Sequence, residues 1–168
     1  MTIFYAQPYD ISATGFFFET SEQFQERSSA NRNDYGDPVE EYEIQFITGE
    51  DIDYELSQAW GINQANIAQF IEAEETWDDF DKIKFIIAVG ECGCTFDPNT
   101  ADADDYDVDI YHVDNLKELA EQFVDEGLFS EIPERIQYYL DFDLIARDLE
   151  ADYTATIIAG ERLAYRCG

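Results

Sequence analysis

Positive charge is what this sequence lacks: among 168 residues there are nine Lys and Arg together and a single His. Binding to nucleic acid draws most of its affinity from basic side chains meeting phosphates, so nucleic acid is not an expected partner. Cysteine is scarce as well. Cys92 and Cys94 stand too close together for an easy bridge and Cys167 lies at the far end, so no disulfide framework is implied and a reducing compartment fits. No stretch reaches the roughly 18 apolar residues of a membrane span, and Met1 to Pro8 carry no basic targeting segment. The expectation is a soluble, cytoplasmic protein with no membrane partner. There is also no nucleophile elbow, P-loop or dinucleotide fingerprint.

Acid is there in excess. The 39 Asp and Glu give a formal charge of -30, far beyond the magnitude of about 2–8 that keeps a small domain soluble. Self-repulsion at that level works against compactness, which suggests that the charge has a use. The acids are also unevenly placed. Residues 1 to 32 hold four acids and two Arg, and residues 135 to 168 hold six acids and four Arg; the other 29 acids fall between 33 and 134 with only Lys82, Lys84 and Lys117. From Asn33 to Asp81 there are 15 acids and no base. Acidic tails are ordinarily disordered. Here the acids alternate with Tyr42, Ile44, Phe46, Leu56, Trp60, Phe70 and Trp77, and a chain that is 45% hydrophobic and 15% aromatic can build cores. The reading is a folded acidic surface.

Periodicity places that surface on an α+β chain. Residues 3–7 and 15–19 read as strands, and 21–27 as a helix capped by Thr20 or Ser21. Residues 41–48 alternate with period two, a third strand. From Asp51 the period lengthens into several short helices, with Gly61 and Gly90 as stops. Gly93, Pro98 and a run of Asp mark a loop over 91–105. A strand over 106–113 follows, then a helix over 115–126 with Asp114 as cap and Gly127 as stop. Pro133 opens further helix to about Glu150, and 153–167 forms a hairpin around Gly160-Glu161. Three small subdomains are expected: a sheet with a helix over 1–50, a helical acidic part over 51–97, and a second sheet with helices over 98–168.

Chemistry of the enzymatic kind finds little support. The Asp-rich run 97–109 offers no register that combines calcium ligands at positions 1, 3 and 5 with Gly at 6 and Glu at 12. Cys92, Cys94 and His112 fall short of the four ligands of a closed zinc site. Carboxylates are so abundant that spacing singles out no acid–base pair. No catalytic residue, metal or cofactor is expected.

What the acids can do is imitate a phosphate backbone. Duplex DNA carries about one charge per 1.7 Å of axis, so the net -26 of residues 33–134 would cover roughly 45 Å at DNA density. Neighbouring carboxylates on one face lie about 6.7 Å apart on a strand and about 5–6 Å apart on a helix, of the order of the separation between neighbouring phosphates. Asp105, Asp107 and Asp109 fit a strand row, and Glu74 with Asp78 and Glu75 with Asp79 fit a helical one. The candidate acidic surface comprises these together with Glu40, Glu41, Glu43, Glu50, Asp51, Asp53, Glu55, Glu72, Asp102 and Asp104.

Residues 127–153 read GLFSEIPERIQYYLDFDLIARDLEADY, which resembles the antirestriction-motif region of the ArdA family. The similar positions are Ile132-Pro133, Ile136-Gln137, Tyr139-Leu140-Asp141-Phe142 and Ala146-Arg147-Asp148-Leu149, with weaker echoes at Gly15-Phe16-Phe17-Phe18 and Glu40-Glu41-Tyr42-Glu43-Ile44. The loop 92–105 has no counterpart in that pattern. The resemblance implies a chain of three subdomains forming an elongated homodimer in the cytoplasm of a bacterial host. It would bind type I restriction-modification enzymes, methyltransferase core and endonuclease alike, in place of DNA, and so protect incoming mobile DNA. It also implies a dimer contact in the last subdomain, where Ile132, Pro133, Gln137, Tyr138, Tyr139, Asp141, Phe142, Arg147 and Asp148 are the candidates; simple helix packing is the other role open to the aromatics. Two further readings of the acidity stay open: a mimic aimed at another DNA-binding target (a CRISPR effector, nucleoid protein or repressor), and a salt-adapted acidic protein.

Overall fold

In a computed structural model that describes residues Met1–Gly168, the chain is α+β, with two three-stranded antiparallel sheets and seven α-helices. It divides into two compact units, 1–105 and 106–168. The segments expected as 1–50 and 51–97 share the first unit, and the boundary falls after Asp105 rather than after Asp97.

The first sheet has the order β2-β1-β3, built from β1 (Ile3–Pro8), β2 (Phe16–Phe18) and β3 (Tyr42–Thr48). Alternation sets its inner face: Phe4, Ala6 and Pro8 on β1 and Tyr42 and Ile44 on β3 are buried. Helix α1 (Ser21–Ala30) starts where Thr20 accepts the Gln23 amide, as a cap residue should. Its one large apolar residue, Phe24, packs on Phe16, Phe18 and Tyr42.

Three helices follow: α2 (Asp51–Trp60), α3 (Ile67–Thr76) and α4 (Asp79–Phe85). Gly61 ends α2 in the left-handed region at φ 63°, as expected of a stop. Gly90 does not act as one. Helix α4 runs on into a π-helical turn, Ile86–Glu91, in which the Cys92 amide donates to the Ile87 carbonyl at 2.8 Å, and Gly90 lies inside that turn. A β-carbon there would stand 3.3 Å from Cβ of Ala59 on α2, so this glycine serves close packing. An aromatic core of Trp60, Phe70, Trp77, Phe85 and Phe96 joins the helices. Phe70 also meets Phe4 of β1 edge-on at 5.9 Å. That contact makes the sheet and the helical segment one core, and this is why the expected split at residue 50 is not a boundary between compact units.

The second sheet has the order β4-β6-β5, from β4 (Val108–Tyr111), β5 (Thr154–Ile158) and β6 (Glu161–Cys167). The hairpin turns through Ala159 (φ 50°) and Gly160 (φ 82°), one residue earlier than expected. Two consecutive positive φ values match the twist of a two-residue hairpin. Helix α5 (Leu116–Asp125) is capped by Asn115, which accepts the Glu118 amide at 2.9 Å, and not by Asp114. The single helix expected after Pro133 is two, α6 (Glu134–Gln137) and α7 (Phe142–Leu149). Helices α5 and α7 cover the sheet through Leu119, Ala120, Phe123 and Leu149, with Phe142, Ile145 and Tyr153 packed alongside.

Candidate acidic interface

The expected acidic residues of the first unit reach the surface from short elements whose other faces are buried. On β3, Glu43 alternates outward between buried Tyr42 and Ile44, and Glu40 and Glu41 are exposed just before it. On α2, Ile52, Leu56 and Trp60 point inward at helical spacing, which leaves Asp51, Tyr54, Glu55 and Gln58 on one outer face, Glu55 half-buried. Glu50, at the N-cap of α2, is exposed. On α3, Ile67, Phe70, Ile71 and Ala73 are buried and Glu72 and Glu75 are exposed three residues apart. Asp78 caps α4 by accepting the Asp81 amide at 2.9 Å, and Asp79 is exposed beside it. Asp102, Asp104 and Asp105 are exposed around a short 3-10 turn over 103–105, where Asp102 accepts the Asp104 amide.

Several expected rows do not form as such. Glu74 and Asp78, and Glu75 and Asp79, have helical spacing in sequence, but Trp77 is extended (ψ 140°) and separates α3 from α4. Asp105 lies in the 3-10 turn of the first unit and Asp107 precedes β4, so Asp105, Asp107 and Asp109 are not one strand. Asp109 is half-buried and bound by Arg166 at 2.5 Å, which raises the guanidinium's pKa further, while Asp107 is exposed. Asp53 leaves the surface altogether. It is only 5% exposed and holds the Lys82 ammonium at 2.6 Å. Glu74 is half-buried and accepts the Thr2 hydroxyl; burial pushes its pKa up. Burial, followed by the charges of Asp78 and Asp104, does the same to Asp81.

Lys82 is the residue that composition alone misses. It and Lys84 are the bases of the stretch 33–105. Lys82 is buried on Asp53, and half-buried Lys84 reaches Asp104 at 3.7 Å. The bases are thus turned inward or already neutralised, and the outer surface keeps its carboxylates. Some of these acids sit where local electrostatics disfavours them. Glu72, Glu74 and Glu75 lie toward the C-terminal end of α3, whose last turn has no base, and an acid there opposes the helix dipole by about 0.3–1 kcal/mol each when exposed.

The 132–148 segment separates into residues that hold structure and residues that do not. Gln137 donates from its amide nitrogen to the Ile132 carbonyl at 3.0 Å, and both are half-buried. Asp141 caps α7, accepting from the Asp143 and Leu144 amides at 3.1 Å each, and Phe142 packs on the second core. Pro133, Arg147 and Asp148 are exposed. Tyr138 and Tyr139 are 85% and 87% exposed, so helix packing does not account for them. Ile136 and Leu144 are exposed too, and they escape a reading by residue type. For Leu144 the signal is phase: Phe142, Ile145 and Leu149 make the inner stripe of α7, and Leu144 is off that period.

No group of three or more His, Cys, Asp or Glu is placed to hold a metal ion. His112 is exposed, 3.6 Å from Glu161, and Cys94 is an exposed free thiol, so Cys92 and Cys94 do not bridge one another. No helix is long and apolar enough to cross a membrane.

The family model described as antirestriction protein (ArdA) matches residues 12–161. The chain belongs to the ArdA family of antirestriction proteins. The ArdA match spans both compact units, far beyond the 127–153 segment that carries the resemblance in sequence. It takes in every residue of the acidic surface and of the 132–148 segment. No curated protein matches the chain. As an ArdA-family antirestriction protein, it has restriction-modification enzymes as its implied partners.

Proposed function

We propose that this protein is a non-catalytic inhibitor that occupies the DNA-binding groove of type I restriction-modification enzymes, with its carboxylates standing in for phosphates. The observation that supports this most is the placement of charge over residues 33–105 of the first unit. Carboxylates project from elements whose inner faces are packed, while Lys82 is buried on Asp53 and Lys84 is paired with Asp104. A basic groove would meet a fixed field of one sign, which raises the rate of encounter and favours docking.

The residues proposed to make this contact are Glu40, Glu41, Glu43, Glu50, Asp51, Glu55, Glu72, Glu75, Asp78, Asp79, Asp102, Asp104, Asp105 and Asp107. Since the field is shared, a single change such as Asp107→Asn should cost little. The exposed Tyr138, Tyr139, Ile136 and Leu144, with Arg147 beside them in sequence, are proposed as the contact of a homodimer, where the apolar area and the arginines lessen repulsion between two polyanions. Such a protein would protect incoming mobile DNA.

The test is competition. At near-stoichiometric concentration the purified protein should displace a labelled DNA duplex from a type I methyltransferase, with affinity that falls as salt rises. Failure of the folded protein to displace DNA would remove the type I enzyme as target, and displacement insensitive to salt would remove the electrostatic account.

A further inference from the structure

We propose that Tyr54 is an aromatic anchor within the acidic surface, a ring that receives an arginine or lysine of the partner's DNA-binding groove. This rests on the mimicry reading above and adds a contact that phosphate imitation does not supply. Tyr54 lies on the outer face of α2 between Asp51, three residues before it, and Glu55, one after, in the stretch 33–81 that has no base. Glu50 is exposed at the N-cap of the same helix.

Two features separate this ring from a stray surface apolar group. Tyr54 is 49% exposed and yet held: Phe46 of β3 meets it at a centroid distance of 5.6 Å and an interplanar angle of 67°. One face or edge is fixed by packing while the rest stays open, so little rotamer freedom remains to be lost on binding. Its surroundings also define the partner. A ring among carboxylates is a poor site for an apolar or acidic surface and a good one for a cation, which the ring quadrupole and the neighbouring charges attract together. Aromatic residues of this kind carry much of the affinity of protein interfaces, and charged neighbours set encounter and register.

The two contributions respond differently to salt. Carboxylate pairs are screened and weaken as salt rises, whereas a desolvated ring–cation contact is affected far less. The experiment is competition against labelled DNA on the methyltransferase over a range of salt, with wild type, Y54F, Y54L and Y54A, each checked by thermal unfolding. Y54L keeps an apolar side chain against Phe46 and removes the π face, so it remains informative if Y54A unfolds. We expect Y54L and Y54A to bind about tenfold more weakly at every salt concentration with the salt slope unchanged, and Y54F to bind as wild type does. Wild-type affinity in Y54L, or a loss in Y54F equal to that in Y54L, would overturn the anchor. Failure of wild type itself to displace DNA would instead remove the type I enzyme as target, and with it the reading on which the anchor rests.

Discussion

The two units of the chain carry similar charge per residue and place their bases differently. Residues 1–105 hold 24 acids and four bases, and residues 106–168 hold 15 acids and five. The tally would make them equals. In the first unit, however, Lys82 is buried and Lys84 is half-buried on Asp104, while Arg27 and Arg32 donate to backbone carbonyls of Phe17, Ser29 and Asn31. In the second, Lys117 and Arg166 pair with Asp143 and Asp109, but Arg135, Arg147 and Arg162 are exposed, the first two near Ile136, Tyr138, Tyr139 and Leu144 in sequence. Arg27 and Arg32 remain exposed, so it is over 33–105 that the first unit withdraws or pairs its cations, whereas the second displays arginines near exposed apolar side chains in sequence. The lesson is that the placement of a few bases, more than the number of acids, gives a polyanion distinct faces.

That comparison can be broken most forcefully at Lys82. Lys82→Met leaves Asp53 buried without its counter-charge, and loss of one partner of a buried pair costs about 3–5 kcal/mol. Chemical denaturation should read this loss, and the double variant Asp53→Leu with Lys82→Met should recover most of it. A Lys82→Met protein as stable as wild type would mean that the buried pair holds nothing together. At the other unit, Tyr138→Ser combined with Tyr139→Ser should leave the fold of the single chain intact by circular dichroism, because both rings are exposed there. Self-association measured by sedimentation equilibrium should weaken tenfold or more, about 1.4 kcal/mol. A dimer unaffected by the pair would move the contact elsewhere.

Smaller effects sharpen the division between structural and displayed residues in the 132–148 segment. Asp141→Ala removes the cap of α7 and should cost about 1 kcal/mol, read by thermal unfolding; Asp148→Ala, at an exposed position, should cost little. The smallest effect concerns pH. Burial, assisted by the charges of Asp53 and Glu75, raises the Glu74 carboxyl above its usual 4.5, against the Thr2 hydrogen bond and Lys82. Because the folded value is the higher one, this group's stabilising contribution is fully present below the unfolded pKa near 4.5 and is lost as pH rises through the folded value. Glu74→Gln should therefore flatten the stability profile just above pH 4.5, and a profile identical to wild type would place the carboxylate in an environment no different from water.

The local elements were readable because their signals are local. Alternation gave β1 and β3, helical spacing gave α2 and α3, Gly61 marked the end of α2, and Thr20 marked the start of α1. The misreadings share a cause. Gly90 looks like a stop but permits close approach to Ala59, and the apparent rows across Trp77 and across Asp105–Asp109 ignore changes of element that a spacing rule does not see. By its type Asp53 belongs on the surface, whereas its position one residue after Ile52 and three before Leu56 puts it on the inner side of α2.

The sequence by itself determined the net charge, the α+β character, the absence of bases over 33–81 and the 127–153 pattern, since each is set by residue identity and short-range periodicity. Only the tertiary structure decided which acids face solvent, that Lys82 spends its charge inside on Asp53, that Phe4 and Phe70 fuse the first two expected segments into one core, and that Tyr138 and Tyr139 stay outside while Phe142 goes in. The physical reason is that burial and ion pairing depend on partners distant in sequence. Asp53 and Lys82 are 29 positions apart, and no local rule joins them.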